Sequence, residues 1–173
     1  MDQNTLFKYR PNAYHHVVFS TKRRKQVLVP PIRERVLFWI KQQASEHDID
    51  LQELNLWLDH GHGLIFVRPG ENLSTHMQFL KGGSARQVFM EFPDLKWQIG
   101  EEHLWAKRFR SFEVAPDGLE RVRWYIRNQE QIHLNRLGFM PVPEWERSRF
   151  SGETLSSSAN SLLSWSMVGW SRK

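Results

Sequence analysis

Leu51-Gln52-Glu53-Leu54-Asn55-Leu56-Trp57-Leu58-Asp59-His60-Gly61-His62-Gly63-Leu64-Ile65-Phe66-Val67 is the stretch that decides the fold. From Leu51 to Asp59 it alternates: Leu54, Leu56 and Leu58 share one phase and Asn55 and Trp57 take the other, as a strand with one buried face requires. Leu64 to Val67 is continuously apolar and reads as a more buried strand, closed by the turn residues Pro69-Gly70. The two strands are expected to pair as a hairpin, with His60 and His62 at its mouth.

Upstream, Ala13 to Ser20 alternates as a strand, with Val17 and Phe19 in one phase and Val18 in the other, and the basic loop Lys22-Arg23-Arg24-Lys25 follows it. Pro30 and Pro31 then introduce Ile32, Val36, Leu37, Ile40 and Ala44, whose spacing predicts an amphipathic helix from Pro31 to about His47. Downstream, Asn72 or Ser74 can cap a helix containing Leu73, Met77, Leu80 and Val88, which Gly82-Gly83 should loosen or break. A strand is expected over Arg108 to Val114, ended by Pro116-Asp117-Gly118, and a last helix over about Leu119 to Leu137, stopped by Gly138. Strand, helix, two strands, helix, strand, helix implies an antiparallel sheet covered by helices, an α+β fold.

That fold accounts for residues 1–138, with the first ten as a loose leader. Residues 139–173, with Pro141, Pro143 and a Ser-rich run from Ser151 to Ser161, offer little that could build a core. Apolar residues return at Leu162, Leu163, Trp165, Met167, Val168 and Trp170, so the segment is expected to be a tail that docks on the domain or on a partner.

In 173 residues, 24 Lys and Arg against 19 Asp and Glu give a net charge of +5, which favours contact with a polyanion but also fits an ordinary basic protein. Cysteine is absent, excluding disulfides and thiolate metal sites. No apolar run approaches the ~20 residues that span a bilayer, and Met1 to Arg10 lacks a secretory signal, so a cytoplasmic protein without a membrane partner is expected.

His60-Gly61-His62 is the first candidate site. Residues two apart on a strand point to the same face and can present two imidazoles to one ion, although two polar hairpin residues facing water would give the same pattern. Gln129 follows Tyr125 by one helical turn, so the two side chains share a face. A phenol is a poor nucleophile at its usual pKa of about 10, but a phosphate polarised by a metal is an easier target. A Gln oxygen is a hard donor, and with two imidazoles it suits Mg2+ or Mn2+ better than structural zinc. An amphipathic surface tyrosine fits the helical pattern equally well. Lys22, Arg23, Arg24, Lys25, Lys81 and Arg86 are candidates for contacts to a phosphate backbone, with a solvated basic face as the alternative.

Four stretches, in order, carry a resemblance to a known family: His15 to Lys25; Asp59-His60-Gly61-His62 leading into an apolar strand; Phe79-Leu80-Lys81-Gly82; and Tyr125-Ile126-Arg127-Asn128-Gln129. Together, over roughly residues 13 to 136, the chain resembles the single-tyrosine transposases of the insertion-sequence 200/605 group, members of the HUH nucleases. The resemblance implies a ferredoxin-like or RRM-like sheet, Tyr125 as nucleophile, and His60, His62 and Gln129 as ligands of a divalent metal. It also implies single-stranded DNA hairpins as substrate and a homodimer with shared active sites. The activity implied is cleavage and rejoining of single-stranded DNA through a 5′-phosphotyrosine, consistent with the absence of a Walker loop. One departure stands out: the residue between the histidines is usually bulky and apolar, and here it is Gly61. A gap beneath the histidines, loosening their aim, is therefore expected. It makes a hairpin-binding protein that has lost cleavage an alternative reading; a domesticated relative acting on repeated palindromes is another, although the Asn128-Gln129 ending after Tyr125 looks more like the mobile-element group.

Overall fold

The computed structural model describes Arg10 and residues 12–136; the rest of the expected leader, the Gly138 stop and the tail from 139 lie outside the described residues. The elements, in order, are strand β1 (Ala13–Thr21), helix α1 (Ile32–Glu46), strands β2 (Asp50–Trp57) and β3 (His60–Val67), helices α2 (Leu73–Glu91) and α3 (Leu95–Ile99), strand β4 (Trp105–Val114), and helices α4 (Leu119–Arg127) and α5 (Gln129–Arg136). The chain divides into two units after Glu130; the sheet and every helix up to α4 belong to the first, and α5 crosses the division. The four strands form an antiparallel sheet in the order β2-β3-β1-β4. This is the split βαβ arrangement of an α+β fold, as the order of elements implies.

Pairing sorts the side chains onto two faces. On one, Val17, Phe19, Leu56, Ile65 and Val67 meet the apolar sides of α1 and α2 and form the core. Each such side chain taken fully out of water contributes roughly 1.5–3 kcal/mol. The other face carries His16, His60 and His62 and is covered by α4, which contacts β2 and β3. In register, His62 lies between Val18 of β1 and Asn55 of β2, and His60 between Ser20 and Trp57. β3 thus begins at His60 rather than after Gly63, and the histidines are strand residues; Leu58 and Asp59 alone make the turn.

Two helix expectations need correction. Helix α2 runs unbroken through Gly82-Gly83, and Gly83 makes room for α1: a Cβ there would collide with the Gln43 side chain. The packing outweighs the ~1 kcal/mol that a helical glycine costs relative to alanine. Asn72 is its cap, its side chain accepting from the Ser74 N–H at 2.8 Å. The last helix, expected as one piece, is interrupted at Asn128 (φ −101°, ψ 21°), whose backbone N–H and side-chain amide both donate to the Trp124 carbonyl.

The expected gap at Gly61 is not there. A Cβ on Gly61 would lie 2.5 Å from Leu56 Cδ2 and 2.7 Å from Phe19 Cζ, so these two core side chains already fill the space beneath the histidines. Glycine here is a packing solution: the bulk has moved from the middle of the motif to its neighbours on β1 and β2. Gly61→Val should therefore cost ~1–3 kcal/mol through overpacking, read as a lower urea midpoint. Phe19→Val should cost less in that background than in wild type, and strictly additive losses would contradict the steric account.

Candidate active site

His60 and His62, 7% and 6% exposed, are buried, so the water-facing hairpin reading is overturned. Their rings stand edge to face with centroids 5.1 Å apart. His60 Nδ1 is 2.6 Å from Asp59 Oδ1, and the other carboxylate oxygen accepts from Arg24 Nε at 2.8 Å. Burial works to raise the Asp59 carboxyl, but the His60 hydrogen bond and the charges of His60 and Arg24 outweigh it and hold the group below its usual range. Thr21 fixes the turn that carries this carboxylate: its N–H donates to the Asp59 carbonyl at 2.9 Å, and its hydroxyl donates to the Lys25 carbonyl at 2.7 Å, tying the basic loop to the same point. Arg23 and Arg24 both adopt left-handed backbone, φ 53° and 54°, where non-glycine residues are strained. The basic loop thereby turns tightly enough for Arg24 to reach Asp59.

His62 faces a different partner. Its Nδ1 lies 2.9 Å from Nε2 of His16 on β1, with the two rings stacked at 5.2 Å. His16 is buried, and its Nδ1 has no hydrogen-bond partner among the described residues. Burial pushes the His16 imidazole down to about 4.

Tyr125 arrives from α4 and is 8% exposed, which overturns the surface-tyrosine alternative. Its ring sits edge-on to His62 at 5.6 Å and to His16 at 5.9 Å, within one chain. The last carbonyls of any helix need outside donors. Here the Asn55 amide supplies them, donating to Ile126 and Arg127 carbonyls at 2.9 and 3.2 Å, while Arg127 pairs with Glu53. Gln129, 1% exposed, donates through Nε2 to the Tyr125 carbonyl at 3.0 Å. Its Oε1 is buried without a hydrogen-bond partner among the described residues. An orphaned hard oxygen next in the chain to the tyrosine helix, with two imidazoles on the facing strand, fits a divalent cation with a mixed nitrogen and oxygen shell. Among the described residues no three His, Cys, Asp or Glu side chains gather around a common point.

The basic candidates separate. Lys22, Lys81 and Arg86 line one groove of about 780 Å3, together with Lys107, Phe89 and Phe109. Lys81 is spent inside it, its ammonium donating to the Ala106 and Lys107 carbonyls at 2.7 and 3.1 Å, and burial pushes it down to about 8. Arg24 is committed to Asp59, and Arg23 pairs with Glu101 at 2.7 Å. Lys25 is exposed at the end of the loop. Sequence reasoning assigned no role to His16, Asp59 or Asn55. All were within the quoted strands, and strand phase puts His16 on the histidine face once β1 is paired with β3.

Over residues 9–129 the chain matches the family described as Transposase IS200 like. It belongs to that family. Membership makes it a transposase, an enzyme that acts on DNA, and the resemblance to the insertion-sequence 200/605 group holds. The chain is 26% identical over 143 residues to the transposase for insertion sequence element IS200 of Salmonella typhimurium, covering 82% of this chain and 93% of the relative. It is 25% identical over 115 residues to the ISDra2 transposase TnpA of Deinococcus radiodurans, covering 66% and 82%. A crystal structure from Deinococcus radiodurans R1, provisionally assigned as a transposase, superposes with a TM-score of 0.56 at 28% identity, covering 70% of this chain and 94% of that one. The REP-associated tyrosine transposase bound to a REP hairpin shares the fold, with a TM-score of 0.54 at 13% identity and coverage of 76% and 72%. No helix among the described residues is long and apolar enough to cross a membrane.

The His16 environment has a measurable consequence. An unfolded histidine titrates near about 6.5, whereas folded His16 does so at about 4. Between those values the unfolded chain binds a proton that the folded chain refuses, so this contribution to stability is full above the upper value and is lost as pH falls toward the lower. Calorimetry from pH 7 to 4 should give a fall in stability that is smaller by roughly 3 kcal/mol in His16→Leu than in wild type. Equal slopes would contradict the assignment.

Proposed function

We propose that this transposase cleaves and rejoins single-stranded DNA at hairpin-marked element ends, with Tyr125 as nucleophile and with His60, His62 and Gln129 holding one divalent ion, Mg2+ or Mn2+. The observation that carries this reading is the meeting, inside one chain, of the Tyr125 ring with the His62 ring at 5.6 Å. The buried, unpartnered Oε1 of Gln129 supports it.

When bound, the ion supplies Lewis-acid polarisation of a nonbridging oxygen of the scissile phosphate. Tyr125 does the covalent work. Its phenolic oxygen gives up a proton and bonds to phosphorus, while the bond from phosphorus to the 3′-oxygen of the preceding nucleotide breaks. That oxygen takes up a proton and leaves as a free 3′-hydroxyl, and the downstream strand stays on Tyr125 as a 5′-phosphotyrosine. Attack by another 3′-hydroxyl reverses the exchange and joins a new end. One phosphodiester-level bond replaces another, so no ATP is consumed. Asp59, itself held by Arg24, orients the His60 ring.

Lys22, Arg86 and Lys107, on the walls of one groove, are suited to the DNA backbone, and Phe89 and Phe109 to stacking of unpaired bases. Lys25, exposed at the end of the basic loop, is a further candidate for the backbone. The Lys81 ammonium acts from within, holding α2 to the first residues of β4. A neighbour of the same fold is bound to a REP hairpin, and hairpin DNA is the ligand we propose for this chain, acting in the cytoplasm. We also propose a homodimer. Sharing of active sites between its subunits would require α4 to leave the Asn55 amide that holds it in its own chain. The hairpin-binding alternative without cleavage drew on the expected gap at Gly61, and the packing of Phe19 and Leu56 removes that ground.

Incubating the chain with labelled single-stranded element ends and Mn2+ should give a denaturation-resistant protein–DNA species. Tyr125→Phe should abolish it while leaving hairpin binding within about twofold, and His60→Ala or His62→Ala should remove it through loss of the ion. An adduct formed by Tyr125→Phe would overturn the nucleophile assignment.

A further inference from the structure

His16 occupies a costly position. It sits on a central strand at 2% exposure, where an apolar side chain would pack without penalty, and its Nδ1 is buried without a partner among the described residues. An unsatisfied buried polar group costs ~1–3 kcal/mol. Its ring makes a hydrogen-bond contact through Nε2, to Nδ1 of His62 at 2.9 Å. A ring nitrogen pair that close is a hydrogen bond, with one nitrogen donating and the other accepting.

The same relation recurs on the other histidine. His60 Nδ1 contacts the Asp59 carboxylate at 2.6 Å, an acceptor, so His60 carries its proton on Nδ1 and would offer Nε2 to an ion. For His62 to do likewise, Nδ1–H must donate and His16 Nε2 must accept. That leaves the proton of neutral His16 on Nδ1, the nitrogen without a partner. His16 Nε2 faces His62 Nδ1 at hydrogen-bond distance, the arrangement of an outer partner and not of a further ligand of the same ion. Its ring also lies edge-on to Tyr125 at 5.9 Å, so one side chain touches both the metal ligand and the nucleophile.

We infer that His16 is a positioning residue: by accepting from His62 Nδ1 it fixes the tautomer and the ring orientation in which His62 Nε2 takes the divalent ion. This rests on the metal reading of His60, His62 and Gln129. Outer partners of ligating histidines act by orienting the ring and raising its basicity, and their loss lowers metal affinity by roughly 10–100-fold.

Mn2+ binding to the full chain without DNA, followed by electron paramagnetic resonance at pH 7.5, tests this with thermal stability measured in parallel. His16→Leu should weaken Mn2+ by roughly 10–100-fold while its melting temperature changes little, because a buried unpartnered nitrogen goes as the His62 Nδ1–H loses its acceptor. His16→Gln, whose side-chain oxygen can accept from His62 Nδ1, should bind within about threefold of wild type. A merely structural role would lower stability in both variants and leave affinity unchanged. Wild-type affinity in His16→Leu, or equal weakening in both variants, overturns the inference, and the glutamine variant decides alone should the leucine variant fail to fold. If wild type binds no Mn2+, or if His60→Ala binds it as well as wild type, the metal reading itself fails and takes this inference with it. Binding that needs His60 but not His16 sinks the inference alone.

Discussion

Strand β3 is hydrogen-bonded on both edges, to β1 and to β2, and this double pairing leaves its side chains no freedom of phase. A slip of one residue would turn His60 and His62 into the core and bring Ile65 and Val67 out toward α4. The core therefore aims the site. Every apolar contact that Ile65 and Val67 make with α1 and α2 also holds the two imidazoles toward the tyrosine helix. Gly61 belongs to the same constraint. Its missing side chain lets Phe19 and Leu56 close beneath the motif, so the strand is supported from below where the histidines project above.

On that platform sits a small polar network largely removed from water, in which each member is oriented by the next. Arg24 holds Asp59, Asp59 holds His60, and His16 meets His62. In a low-dielectric setting such bonds are stronger than in water, and a group left without its partner is correspondingly expensive. Evolution keeps that kind of arrangement where geometry matters more than stability. Asn55 extends the logic to the covering helix, since the amide that satisfies the last carbonyls of α4 also sits opposite His62 in the sheet. A single β2 residue therefore registers the tyrosine helix against the histidine strand.

Much of this was legible in the sequence because it follows from periodicity. Alternation at Leu54 and Leu56, helical spacing at Ile32, Val36 and Ile40, and turn residues at Pro69-Gly70 located the elements to within a few residues. Pairing was legible less fully. The strand order needed a choice of neighbours that local pattern does not encode, and so the contact of His16 with His62, 46 residues apart, stayed hidden. Glycines misled in both directions for the same reason. Gly61 reads locally as a void and Gly83 as a helix breaker, yet each marks a place where another element, β1 with β2 or α1, comes too close for a side chain. The break at Asn128 was equally invisible to a pattern of apolar spacing, because an amide folding back on the Trp124 carbonyl leaves that spacing intact. Lys81 reads as one more surface cation until β4 is seen to present carbonyls to it.

The proposed activity depends on one ion held by two strand imidazoles and a helix amide beside the tyrosine ring. Anomalous diffraction from crystals of the chain grown with Mn2+ tests this most directly. It should give a single strong peak at about 2.0–2.3 Å from a ring nitrogen of His60, a ring nitrogen of His62 and Oε1 of Gln129. A peak bound elsewhere, or one at the histidines with the Gln129 oxygen turned away and the Tyr125 ring displaced from His62, would contradict it.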